Sequence, residues 1–374
     1  GSALSDEQGV DPQSVPVSFR QSVRTQLDGI EAVAGVTFVE VTDTGDFDDQ
    51  TGDGRGQINI VLAEDNLNAS FAVLPIGDEP WLDDRNGDVV FTGGLVDEGL
   101  WVDEYRGGAM TITHEILHAL GLEHPFEGYL DAPDYIDTQF YTLLSYTPVH
   151  TDTYFPDAPM IADIAALQHL YGANTATAIG DTVYTFDSDT PVFETIWDAG
   201  GTDTIVHVGA TNVVVDLTPG SLSTLGGLPL TKWVTAVEEL TDAPLLIQDV
   251  SVVSGASHLS ADVSNDGTEF AIISDAETYW MGGVEFEVVF SDATSENFVL
   301  TDLVRPTSYG NVGIAFDVMI ENVTTDAGND TIYGNEASNR IDPGAGSDFM
   351  IGGDGADVFI FRPGYGSDEV GDFE

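Results

Sequence analysis

Apolar positions along the first half of the chain alternate between a helical and a strand period. Phe19, Val23, Leu27 and Ile30 recur every three or four residues, which predicts a helix over 17–34 with one apolar stripe. Val36 to Val41 alternates apolar and polar residues of high β propensity and predicts a strand. After a Gly/Asp-rich loop, Ile58 to Leu62 predicts a second strand, and Val89-Val90-Phe91 a short third. The helical period returns over 108–120, with Met110, Ile112, Ile116, Leu117 and Leu120 as its buried face. It appears again over 161–174, where Gly172 closes the helix. Helix, strands and helix in this order predict an α/β unit.

The helix over 108–120 also carries chemistry. His114 and His118 are four residues apart, so both imidazoles project from one face, one turn apart. Two neutral imidazoles so placed can chelate a single Zn²⁺. Glu115 lies between them and could reach a water on the metal rather than the metal itself. Gly121 follows the last apolar turn, where the chain can bend back and offer His124 as a third ligand. Three protein ligands leave a position open for water, the arrangement of a catalytic zinc.

A different period governs the end of the chain. Asp330, Asn339, Asp348 and Asp357 recur at intervals of nine, in frames that run 325–333, 334–342, 343–351 and 352–360. The frame resembles the Gly-Gly-x-Gly-x-Asp-x-apolar-x nonapeptide of RTX parallel β-rolls. Gly328, Gly346, Gly353 and Gly355 supply its turns, and Asp330, Asn339, Asp348 and Asp357, with backbone carbonyls, are expected to hold Ca²⁺ between turns. Ile332, Ile341, Met350 and Phe359 are expected to stack inside. The frame 334–342 departs, with Ala337 and Asn339 where Gly and Asp are expected. Asp198 to Ile205 reads as an isolated earlier turn of the same kind, contributing Asp203. Within 77–88, Asp84, Asn86 and Asp88 at alternate positions form a further candidate calcium loop, without the downstream Glu of an EF-hand. Residues 228–315 follow neither pattern; alternations such as 284–290 and 298–300 predict a β-rich insertion.

Composition narrows the classes. With 65 acidic against 9 basic residues the net charge is −56, which speaks against nucleic acid and anionic membrane surfaces as partners. It suits a salty medium or a chain that gathers cations. The absence of Cys removes disulfides and thiolate metal sites. No stretch reaches 18 apolar residues, so no membrane span is expected. Residues 1–16 are polar, contain Pro12 and Pro16, and read as a loose tail; the Gly-Ser-Ala-Leu-Ser start lacks the basic and apolar regions of a signal peptide and reads as a cloning remnant.

The histidine constellation with Glu115 and Gly121 resembles the extended zinc signature of the metzincin metalloproteases. The Leu122 and His124-Pro125 context is most similar to the serralysin branch, the secreted bacterial proteases. Tyr141 to Tyr146 lies where that family carries its Met-turn, Ser-x-Met-Ser-Tyr; Ser145 and Tyr146 match, and Leu144 holds the Met position. The resemblance covers 17–227 and 316–374 and implies a metzincin zinc-protease domain of α/β class over 17–176. It further implies a calcium-binding RTX β-roll over 177–227 and 316–374, interrupted by the insertion at 228–315. It implies that Tyr146 can ligate zinc and swing to stabilise an oxyanion, and that an edge strand near 89–91 pairs with extended substrate. Protein or peptide substrates, a proteinaceous inhibitor, a monomeric state and type I export from a salt-adapted Gram-negative cell are the corresponding expectations. The family continues past the position of Glu374, so the sequence reads as a truncated or processed form. Outside this class stand a calcium-dependent adhesion protein with a vestigial zinc site and a non-proteolytic zinc hydrolase. Glu115 speaks against the first, because a structural zinc needs no base. His169 has no motif partner and reads as structural.

Overall fold

The computed structural model describes residues 16–40, 58, 60–63, 70–72, 87–92, 108–126, 136–147, 155–188, 190, 192–225, 231–234, 247–254, 259–263, 270–274, 284–290, 294–300 and 310–373. These group into two compact units. One comprises residues up to Asp181 with Phe193–Gly201 and Gly313–Val318; the other comprises Thr182–Val192, Thr202–Val312 and Met319 onward.

In the first unit, helix α1 (Val17–Val33) buries Phe19, Val23, Ile30 and Val33. Gln26, not the expected Leu27, completes the stripe, because its amide oxygen accepts the Thr113 hydroxyl at 3.2 Å. Strands β1 (Ile60–Ala63), β2 (Phe71–Ala72) and β3 (Val89–Thr92) form one sheet in the order β1-β3-β2. β1 is parallel to β3 and β2 antiparallel to it. Val89, Val90 and Phe91 are all buried, as a continuous apolar run in a strand covered on both faces should be. Phe91 meets Phe19 edge to face at 5.2 Å, which ties the sheet to α1.

Two expectations are corrected here. Residues 36–40 form no strand: the Phe38 N–H is taken by the Glu31 side chain, and Val39 stays 69 % exposed. The strand at 89–91 is central among the described strands, not an edge, since β1 and β2 occupy both its sides.

Helix α2 (Gly108–Ala119) packs on α1 and carries the two helix histidines. Helix α3 (Ile161–Tyr171) ends at Gly172, whose φ of +79° lies in the left-handed region.

The second unit contains two parallel sheets built from short strands: β4 (Val183–Asp187), β5 (Thr204–Val208), β6 (Val214–Asp216), β7 (Asn322–Thr324), β8 (Thr331–Tyr333), β9 (Arg340–Asp342), β10 (Phe349–Ile351), β11 (Val358–Phe359) and β12 (Glu369–Val370). Their orders are β11-β9-β7-β5-β4 and β12-β10-β8-β6. Successive nonapeptides therefore fall in opposite sheets, and a full turn takes two of them: Asp330 and Asp348, 18 residues apart, are joined by a hydrogen bond. This is a parallel β-roll. Ile205, Val323 and Ile341 line one inner face, and Val215, Ile332 and Met350 the other, all fully buried. Phe359, expected among them, is only half-buried in the last described turns.

The region predicted to be a β-rich insertion contains six described strands in two antiparallel three-stranded sheets. Val284–Phe290 lies between Ile247–Ser254 and Ser295–Leu300, and Phe270–Ser274 between Leu259–Val263 and Thr231–Val234.

Candidate active site

The end of α2 shapes the site. The Gly121 N–H donates to His118 O at 2.9 Å and the Leu122 N–H to Leu117 O at 3.1 Å, with φ of +95° at Gly121. These bonds make a Schellman cap, accompanied by burial of both Leu117 and Leu122. The reversal carries His124 back toward the helix. It also turns the Leu122 carbonyl onto His118, whose Nδ1–H donates to it at 2.7 Å. The Nδ1–H of His114 donates to Leu143 O at 2.8 Å.

With the Nδ1 protons committed to carbonyls, the Nε2 lone pairs of His114 and His118 point inward. Their Nε2 atoms lie 3.2 Å apart, and Nε2 of His118 lies 3.1 Å from that of His124. Three nitrogen donors within 4.8 Å of one another are the only such group of three His, Asp or Glu ligands among the described residues. Neutral imidazoles that face each other this closely gain nothing from mutual contact, whereas a tetrahedral divalent cation satisfies all three. Burial holds His114 in that neutral form, with its pKa lowered to about 4, although the Leu143 carbonyl opposes the shift.

Glu115 is buried on the same helix, and desolvation raises its pKa to about 7, partly offset by a hydrogen bond from the Ala72 backbone in β2. The β sheet thus restrains the carboxyl group.

Tyr146 is 66 % exposed, with its ring 4.7 Å from that of His124 and 6.1 Å from that of His114. Phe126, which carries no motif signal beyond following Pro125, stacks on His124 at 4.9 Å and meets Tyr146 at 5.0 Å. An exposed aromatic cluster therefore borders the open side of the triad.

The segment expected as a Met-turn is held from α3. The Asp163 carboxylate is fully buried and accepts the Leu143 N–H at 2.8 Å, the Met160 N–H at 2.9 Å and the Thr142 hydroxyl at 2.6 Å. Asp163 thus holds the N–H of the residue whose carbonyl orients His114. Nothing in the motif spacing singles out Asp163; its only signal is an acidic residue in the first turn of a helix.

In the roll, each expected aspartate holds a backbone N–H one turn away. Asp330 Oδ1 accepts from Val213 at 3.0 Å, Asp348 Oδ1 from Asp330 at 2.9 Å and Asp357 Oδ1 from Asn339 at 2.9 Å. Asp203 Oδ1 accepts from Thr182 at 2.7 Å. Oδ2 of Asp330 and of Asp348 is buried without a hydrogen-bond partner. Burial raises their pKa values to about 6 and about 7. Orphaned oxygens of this kind fit a hard cation that prefers oxygen ligands. Gly346 lies so close to Gly328 that a Cβ would strike its carbonyl, and Gly353 and Gly355 lie over Asn335 and Ala337 in the same way. Asn339 is buried in the turn and differs in its bonding. Of the other candidate calcium loop, Asp88 is buried immediately before β3, while Asp84 and Asn86 lie outside the described residues.

Residues 324–359 match the family described as RTX calcium-binding nonapeptide repeat (4 copies). Serralysin C of Dickeya chrysanthemi is 41 % identical over 34 % of this chain and 31 % of its own length. Serralysin of Proteus mirabilis is 30 % identical over 56 % of this chain and 48 % of its own. Metalloprotease AprA of Pseudomonas entomophila (strain L48) is 34 % identical over 52 % of this chain and 44 % of its own. The chain is similar to the serralysins. It spans about a third to a half of the length of these serralysin relatives. No helix among the described residues of the serralysin-like chain is long and apolar enough to cross a membrane.

Proposed function

We propose that the chain is a secreted zinc-dependent endopeptidase whose roll is stabilised by calcium. The observation that carries this reading is the convergence of three histidine Nε2 atoms beside a buried Glu115. His114, His118 and His124 would hold Zn²⁺. When bound, it supplies a Lewis acid for the scissile carbonyl and acidifies the attacking water. Glu115 takes the proton of that water as general base and delivers it to the leaving amine. Its carboxyl suits the task because burial brings its proton affinity close to neutrality while the Ala72 N–H fixes its direction. The Tyr146 hydroxyl, on a ring beside His114 and His124, donates to the oxyanion of the tetrahedral intermediate. Asp330, Asp348, Asp357 and Asp203 would hold Ca²⁺ in the roll, with carbonyls of the intervening turns. The serralysin relatives support export of such a protein to the outside of the cell.

The test is Glu115→Ala. Zinc content by metal analysis should remain at the wild-type level while casein turnover falls by at least about a hundredfold, the low end for loss of a general base. Turnover near the wild-type rate would refute the mechanism. A metal-free variant would make Glu115 structural. A zinc-loaded wild type that cleaves nothing with or without chelator would favour the adhesion reading instead.

A further inference from the structure

Asn339 occupies the repeat position of Asp330 and Asp348 but is bonded differently. It is 1 % exposed, and each of its amide atoms is used inside the protein. Oδ1 accepts the Asn335 N–H at 2.9 Å, and Nδ2 donates to Glu321 O and to Asn335 Oδ1, each at 3.1 Å. Asn335, also buried, donates through its own amide to Leu217 O at 3.0 Å and Ile320 O at 2.8 Å, and accepts the Ala337 N–H at 2.9 Å. At Asp330 and Asp348, by contrast, one buried carboxylate oxygen has no hydrogen-bond partner.

An N–H and a cation compete for the same oxygen lone pairs. The Glu321 carbonyl and Asn335 Oδ1 are turned toward Asn339 Nδ2, which leaves neither directed at a metal. A neutral amide also brings no charge to offset that of a divalent ion, and the ligands of Ca²⁺ are oxygens throughout. We infer that the Asn335–Asn339 amide pair takes the place of a calcium ion in this turn, so that the roll contains one calcium-independent rung. The inference rests on reading the roll as calcium-binding. It departs from the expectation that Asn339 is itself a calcium ligand. Replacing Asn339 by a carboxylate would remove the competing Nδ2–H, free two oxygens and supply the missing charge, which should open an ion site.

The number of calcium ions per full-length chain, measured by equilibrium dialysis, tests this. Asn339→Asp should bind one more ion than the wild type. Asn335→Ala and Asn339→Ala should bind the wild-type number and melt lower by a similar interval in calcium and in EGTA. Loss of one ion in Asn339→Ala, or no gain in Asn339→Asp folded by circular dichroism, overturns the inference. Should the alanine variants fail to fold, the Asn339→Asp count decides alone. A wild type that binds no calcium overturns the reading of the roll rather than the role of the amide pair.

Discussion

Leu144 is buried beside the Leu143 carbonyl that orients His114, and its own N–H donates to the Thr142 hydroxyl at 3.0 Å. Leu and Met are close in volume and both apolar, so Leu144→Met should change stability by less than about 1.5 kcal/mol. Thermal melting and casein turnover, measured together, should both stay near wild type; a large gain in activity would show that Leu144 restrains the site. At this scale the convergence of His114, His118 and His124 was legible, because their spacing, with Gly121 between the last two, carries the geometry. The groups that orient those ligands were not. Leu122 O and Leu143 O act through the backbone, which every residue possesses, so no residue type betrays them. Phe126 was missed because a lone aromatic after Pro125 carries no spacing signal, and Asp163 because it reaches the Leu143 N–H from another helix.

At the scale of elements, α3 and the 142–144 turn meet through Asp163. Asp163→Ala would leave the Leu143 and Met160 N–H groups without their acceptor, at about 1–3 kcal/mol each. Asn can keep one oxygen on both N–H groups, so Asp163→Asn should preserve zinc affinity where Asp163→Ala loses it. The two also differ with pH. Burial raises the Asp163 pKa from 3.8 to about 6, so the folded state holds that proton more tightly than the unfolded chain. Stability from this group is therefore full below pH 3.8 and is lost as pH rises to about 6. Asp163→Asn does not titrate, and relative to wild type it should gain about 2–3 kcal/mol between those limits. Denaturant melts of both proteins at pH 4 and pH 7 check this; a pH-independent difference would contradict it. The helices were legible from their periodicity, and so were the strands expected at 58–62 and 89–91, which form over 60–63 and 89–92. The strand expected at 36–41 failed over its described residues because Glu31 captures a backbone donor that a sheet would need. The central place of β3 was hidden because one apolar run cannot show how many neighbours it has.

Over the whole molecule, the two units should respond differently to calcium. Orphaned oxygens at Asp330 and Asp348 link folding of the roll to ion binding. Each site filled at a hundredfold excess over Kd stabilises the folded state by about 2.7 kcal/mol. The unit with the triad has its own buried core, including Phe19, Ile30, Phe91, Ile116 and Leu167. Limited proteolysis in EGTA with zinc replenished should therefore cut first beyond about residue 325 and leave 17–174 intact. Equal resistance of the roll with and without calcium would count against the coupling. The repeat made the roll legible, but not its alternation between two sheets, since a period of nine does not say which face each rung joins. Once formed, most of its rungs meet a neighbour only 18 residues away. The insertion breaks that economy: the Asp203 N–H reaches Glu321 across 118 residues. Closing that longer span from an unfolded chain costs about 1.7 kcal/mol more in chain entropy. The rungs from Asn322 onward can zip up locally, whereas docking them on β5 and β6 must wait for a distant encounter. Prior folding of the inserted segment would draw the two halves together, making it a kinetic tether for the roll.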